Sequence, residues 1–154
     1  MAQNFTLTVD PGLSGGLAWK TPKEIGCKSM PETEGDLVAF LKGFKLSCVD
    51  SIPEAVVEEV GGFIGKFQTG SSMFVFGRNF GVILGSLQAL GFRVRLVRPQ
   101  KWQGALGLGN SRGMAPGAWK NKLKARAQQL FPEQKVTLKT ADALLLLEYS
   151  RIAP

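Results

Sequence analysis

Phe5-Thr-Leu-Thr-Val-Asp10, continued by Pro11-Gly-Leu-Ser-Gly-Gly16 and Leu17-Ala-Trp19, is the stretch whose reading decides the fold. Apolar and polar side chains alternate from Phe5 to Val9, and the residue types favour extended backbone, which predicts a strand. The proline and glycines of 11–16 predict a turn. Leu17–Trp19 then returns as the second strand of a hairpin. An aspartate therefore stands where the first strand ends and a tight turn begins.

Downstream, a third short strand is expected near Glu24–Lys28. Thr33-Glu-Gly-Asp36 has the spacing of a helix-opening capping box, with Leu37, Val38, Phe40, Leu41 and Phe44 on the apolar side of the helix it opens. Ala55–Val60 predicts another strand, Gly61–Ser72 a glycine-rich loop, and Ser72–Leu90 a long helix ended by Gly91. Phe92–Val97 is a strand stopped by Pro99. Gly104–Gly117 is a second glycine-rich loop, Ala118–Leu130 a basic helix stopped by Pro132, and the segment from about Lys139 to Ile152 a final helix. Strands alternating with helices predict an α/β fold with some parallel pairing. No repeat or linker divides the 154 residues, so one domain is expected.

The chain contains no histidine, which excludes His-based triads, histidine general bases and zinc sites with His ligands. Acid–base or metal chemistry must use carboxylates. No apolar run approaches the roughly 20 residues of a membrane span, and Met1-Ala-Gln-Asn-Phe5 has no signal-peptide pattern, so no membrane association is expected. Cys27 and Cys48 are expected to stay reduced, as in a cytosol. The net charge of +7 is unevenly spread: from Val60 to Pro132 there are eleven Lys and Arg and no Asp or Glu. A field of one sign that wide points to a polyanion, with nucleic acid as the natural partner.

Against that background three acidic positions stand out. Asp10 closes the first strand. Glu58 and Glu59 lie within the apolar run Ala55-Val-Val-Glu-Glu-Val60, and because side chains alternate along a strand only one of the two can enter a site with Asp10. Asp142 begins the otherwise apolar Ala141-Asp-Ala-Leu-Leu-Leu-Leu147. Acids in apolar settings are costly unless they are paired or bound to cations, and hard oxygen ligands favour Mg²⁺ or Mn²⁺.

The ordered set of motifs resembles the RuvC-like Holliday junction resolvases, bacteriophage-type members in particular. Thr8-Val-Asp-Pro-Gly-Leu-Ser-Gly15 resembles their first-strand motif, and Val56-Val-Glu-Glu-Val60 their second acidic strand, with Glu58 at the catalytic position. Ser71-Ser-Met-Phe-Val-Phe-Gly-Arg-Asn-Phe-Gly81 resembles the helix that follows. Leu96-Val-Arg-Pro-Gln-Lys-Trp102 resembles the strand and basic turn beyond it, and Thr140-Ala-Asp-Ala-Leu-Leu-Leu-Leu-Glu-Tyr149 the last catalytic helix. The resemblance implies an RNase H-like mixed sheet with helices on both faces. It implies a homodimer acting on four-way DNA junctions in a bacterial or phage-infected cytoplasm. It also implies phosphodiester hydrolysis with two Mg²⁺ per site, for which Mn²⁺ can substitute. Asp10, Glu58 and Asp142 become metal ligands. Lys101 and Lys120, with Lys122 and Lys124 as neighbours in a loose alignment, become phosphate contacts, joined by Arg78. Phe63 and Phe67, near the place of an aromatic wedge that some members carry, become base-stacking candidates.

The chain departs from the family where a fourth acidic or histidine ligand normally precedes the last aspartate: Leu138, Lys139 and Thr140 stand there. If position 139 lies a turn before Asp142, its ammonium disfavours a nearby dication. That motivates an alternative reading, a catalytically impaired branched-DNA-binding protein on the same fold. A ribonuclease of this fold is a further alternative. An actin-like phosphotransferase shares the opening motif but needs two lobes, too many for 154 residues. Finally, Gly77, Gly81 and Gly85 recur every four residues on the long helix, at a cost to helix stability. Either the protein's own sheet or a partner helix across a two-fold axis packs there.

Overall fold

The computed structural model describes residues 4–61 and 69–154. Five strands form one sheet in the order β3-β2-β1-β4-β5. The strands are β1 (Thr6–Asp10), β2 (Gly16–Lys20), β3 (Ile25–Ser29), β4 (Glu54–Glu58) and β5 (Arg93–Val97). β1, β2 and β3 form an antiparallel meander, while β4 and β5 run parallel to β1 and to each other. The expected mixed sheet is present.

Alternation along the strands decides what each face holds. Leu7, Val9, Ala55 and Val57 point to one side, where they pack with Leu37, Leu41 and Phe44 of α1 (Glu34–Ser47) and Ile83 and Leu87 of α2 (Gly70–Ala89). Ala18, Val56 and Val97 point to the other. There they meet Trp102 of α3 (Pro99–Ala105), Leu123 and Ala127 of α4 (Pro116–Leu130), and α5 (Ala141–Ile152). Helices thus cover both faces. α5 is the most enclosed helix, with Leu144, Leu145, Leu146, Leu147 and Tyr149 all buried. It is tied to the sheet centre by the buried Thr8 hydroxyl, which donates to the Ala143 carbonyl at 2.6 Å.

Several boundaries differ from the sequence reading, each for a local reason. α1 begins as expected, with the Thr33 hydroxyl accepting from the Asp36 N–H. On its apolar side, however, Val38 is exposed. α2 starts at Gly70 rather than Ser72 because Thr69 supplies the cap, accepting from the Ser72 N–H. Of the loop expected over Gly61–Ser72, residues 62–68 lie outside the described residues, and with them Phe63 and Phe67. Pro99 does more than stop β5: it occupies the first turn of α3, where its missing N–H costs nothing. The final helix starts at Ala141, two residues later than expected, which moves Lys139 out of it. Both cysteines are free thiols. No helix among the described residues is long and apolar enough to cross a membrane.

Candidate active site

The sheet register brings the first two acids together. Thr8 pairs with Val56 in the parallel β1–β4 ladder. Two residues further on, Asp10 and Glu58 emerge side by side at the strand ends, on the face that α5 covers. Glu59 points the other way, is partly exposed and lies 3.5 Å from Arg98, so the choice between the two glutamates falls on Glu58. Asp142, in the first turn of α5, supplies the third carboxylate. One oxygen from each of Asp10, Glu58 and Asp142 lies within 4.8 Å of the others.

The turn after Asp10 is held from two directions. Gly12 has φ of +105°, and a side chain there would press on the Phe76 ring. Its N–H donates to Oδ1 of the buried Asn79 on α2 at 2.7 Å. At Gly16 a Cβ would overlap the Lys139 carbonyl oxygen. Only a bare backbone lets β2 and the segment before α5 approach so closely.

Three carboxylates this close resist ionisation. Burial, with the charge of Asp142 second, pushes the Glu58 carboxyl up to about 7. Burial raises Asp142 to about 6 against the opposing charge of Lys120. Asp10 is raised well above the ordinary carboxylate range by burial and by both other acids, again opposed by Lys120. Such a cluster is costly as bare anions and becomes favourable around a cation.

Among the expected basic contacts, Lys120 on α4 is the one whose charge reaches Asp10 and Asp142. Lys122 donates to the Leu108 carbonyl and sits 5.6 Å from the centre of the Trp119 ring. Lys124 is half-buried on α4, and Lys101 is exposed on α3. Arg78 is not brought to the cluster: it sits on α2, in a two-pronged ion pair with Glu34 of α1. The basic stretch is also less uniform than its sequence implies, since Arg78, Arg95 and Arg98 are matched by Glu34, Glu54 and Glu59. Lys139 corrects the expectation of a cation one helical turn before Asp142. It lies in an exposed turn built by Thr137 and Thr140, with its N–H on the Thr137 hydroxyl.

Sequence reasoning missed two residues beside the site. One is Asn79, whose only signal was a polar residue on the buried side of a helix. The other is Trp102, wholly buried, whose indole N–H donates to Glu58 Oε2 at 2.7 Å. A cleft of about 1200 Å³ lies at the other end of the sheet between Phe5, Ile52, Arg93 and Ser150, and none of the three carboxylates lines it.

No protein-family model matches the sequence, and no curated protein is similar to it. Solved structures are similar. Thermus thermophilus RuvC aligns with a TM-score of 0.54 at 18% identity, covering 96% of this chain and 96% of that one. T. thermophilus RuvC in complex with Holliday junction substrate aligns with a TM-score of 0.55 at 18% identity, covering 97% and 96%. The chain therefore has the RNase H-like fold of RuvC.

Proposed function

We propose that the 154 residues form one endonuclease domain that hydrolyses phosphodiesters of four-way or otherwise branched DNA. It uses Mg²⁺, with Mn²⁺ able to replace it, and works as a cytoplasmic homodimer. The observation that carries this reading is the cluster of Asp10, Glu58 and Asp142 at the strand ends, all pushed toward protonation and flanked by one lysine. The shared fold with a RuvC structure in complex with Holliday junction substrate points the substrate class toward branched DNA.

The donor set fits hard divalent ions. It is all carboxylate oxygen, compact, and short of internal cations. What such ions supply when bound is polarisation of a phosphoryl oxygen and neutralisation of the leaving oxygen. The chain's own residues do the rest. Asp10, Glu58 and Asp142 hold the ions from three separate elements. Lys120 offers its ammonium to the phosphate beside them, and Lys101 on α3 and Lys122 and Lys124 on α4 extend a positive track along the backbone. Two-fold assembly through α2 is supported by its glycines: a Cβ at Gly77, Gly81 or Gly85 meets nothing within 4 Å. The protein's own sheet therefore does not use the stripe, and Phe74 on the same helix is 70% exposed.

The alternative, a branched-DNA-binding protein without catalysis, draws on the cluster holding three acids and no fourth among the described residues. Labelled four-way junction, flap, duplex and RNA–DNA hybrid, incubated with Mg²⁺ or Mn²⁺, separate the readings. The nuclease reading expects cleavage of the junction that Asp10→Asn abolishes while junction binding persists. Binding without cleavage in either metal favours the alternative, and preferential cleavage of the hybrid favours a ribonuclease.

A further inference from the structure

Trp102 sits under the candidate site with an unusual combination of features. It is fully enclosed, packed with the side chains of α4 and α5. Its single polar atom is spent on Glu58 Oε2 at 2.7 Å. A Phe or Leu would fill much of that space without burying an N–H that then demands an acceptor.

The value of the N–H follows from the other two acids. Asp10 and Asp142 have short side chains whose positions are set by a strand end and a helix turn. Glu58 has one more rotatable bond and more rotamer freedom to lose. Among the described residues, its carboxylate has no other hydrogen-bond partner. An indole N–H can only donate, so it grips Oε2 as an acceptor and leaves Oε1 with its lone pairs open. The same short helix, α3, carries Lys101 on its exposed side, so the element that would touch DNA also carries the grip on Glu58.

We propose that Trp102 is a positioning residue: its indole N–H fixes the Glu58 carboxylate so that one oxygen stays presented to the ion held with Asp10 and Asp142. The proposal rests on the metal-site reading above. Outer partners that orient a ligand typically contribute about 10–100-fold in metal affinity, and that range applies here.

The test replaces the Trp102 indole by benzothiophene, through site-specific incorporation of the benzothienyl amino acid, so that shape is kept and only the N–H is lost. Trp102→Phe serves as a second variant. Mn²⁺ affinity is read directly from the free-ion electron paramagnetic resonance signal, without DNA, and thermal unfolding is followed without metal. The expected result is a fall in Mn²⁺ affinity of about 10-fold or more in the benzothienyl protein, with metal-free unfolding close to wild type. Unchanged affinity in that variant overturns the positioning role while leaving the metal site standing. Absence of Mn²⁺ binding by the wild-type chain overturns both. A collapse of metal-free stability in the benzothienyl protein overturns the proposal in favour of a purely structural Trp102.

Discussion

Glu58→Gln separates the cost of the acid cluster from its use. In the folded chain, burial and Asp142 hold the Glu58 carboxyl near 7 instead of its ordinary 4.5. At roughly 1.4 kcal/mol per pH unit, the charged form then costs about 3 kcal/mol of stability. The sign follows from linkage. Below pH 4.5 the group is protonated in both states and costs nothing. As pH rises toward 7 the unfolded chain ionises first, so stability falls, and above 7 the full cost persists. Glutamine keeps an acceptor for the Trp102 N–H and carries no charge. At pH 8 without metal, Glu58→Gln should therefore melt higher than wild type by about 6–12 °C, using roughly 2–4 °C per kcal/mol for a chain of this size. At pH 4.5 the two should nearly converge. Adding Mn²⁺ should close the gap and then reverse the order. Wild type gains about 2.7 kcal/mol at a hundredfold excess over its dissociation constant, nearly offsetting the cost, and about 4.1 kcal/mol at a thousandfold excess, while the variant gains little and does not cleave. Scanning calorimetry across pH 4.5–8, with and without Mn²⁺, measures all of this. A variant no more stable than wild type at pH 8 without metal would refute the assignment of Glu58 to a strained acid cluster.

Three further outcomes follow. Lys120→Met should reduce cleavage about 100-fold or more, as loss of a preorganised charge at a transition state does, whereas Lys139→Ala should change single-turnover rates little; equal effects would mean that Lys139 reaches the site after all. Junction binding in Ca²⁺ should weaken with salt along a log–log slope near −4 to −5, for about five phosphates met by the Lys and Arg side chains of residues 60–132, and a flat titration would move the DNA surface elsewhere. Gly81→Leu should leave thermal unfolding of the monomer unit intact, because its Cβ direction is open, yet sediment as a monomer; a dimeric variant would place the two-fold interface away from α2.

The hairpin, the parallel pairing and the three acids were legible because each rests on a short-range rule. Alternation from Phe5 to Asp10 fixes which side chains share a face. The same rule applied to Val56-Val-Glu-Glu59 says that one glutamate joins Asp10, and the register pairing Thr8 with Val56 selects Glu58. What stayed illegible depends on contacts distant in sequence. Lys120 and Lys139 look equivalent along the chain, one on a basic helix and the other just before Asp142. They part because α5 opens at Ala141 and leaves Lys139 in a threonine-bound turn, while α4 brings Lys120 close enough for its charge to act on Asp10 and Asp142. Trp102 was hidden for a related reason. The proline that reads as the end of β5 is also the first turn of α3, and only that helix turns the indole toward a glutamate 44 positions earlier in the chain. The vacant place of a fourth acid before Asp142 bears differently on activity once this is known. The cation whose charge acts on Asp10 and Asp142 is Lys120, on a separate helix. On the nuclease reading proposed above, that ammonium offsets the acid cluster before DNA arrives and would turn to the phosphate once DNA is bound, so the missing fourth acid need not abolish cleavage.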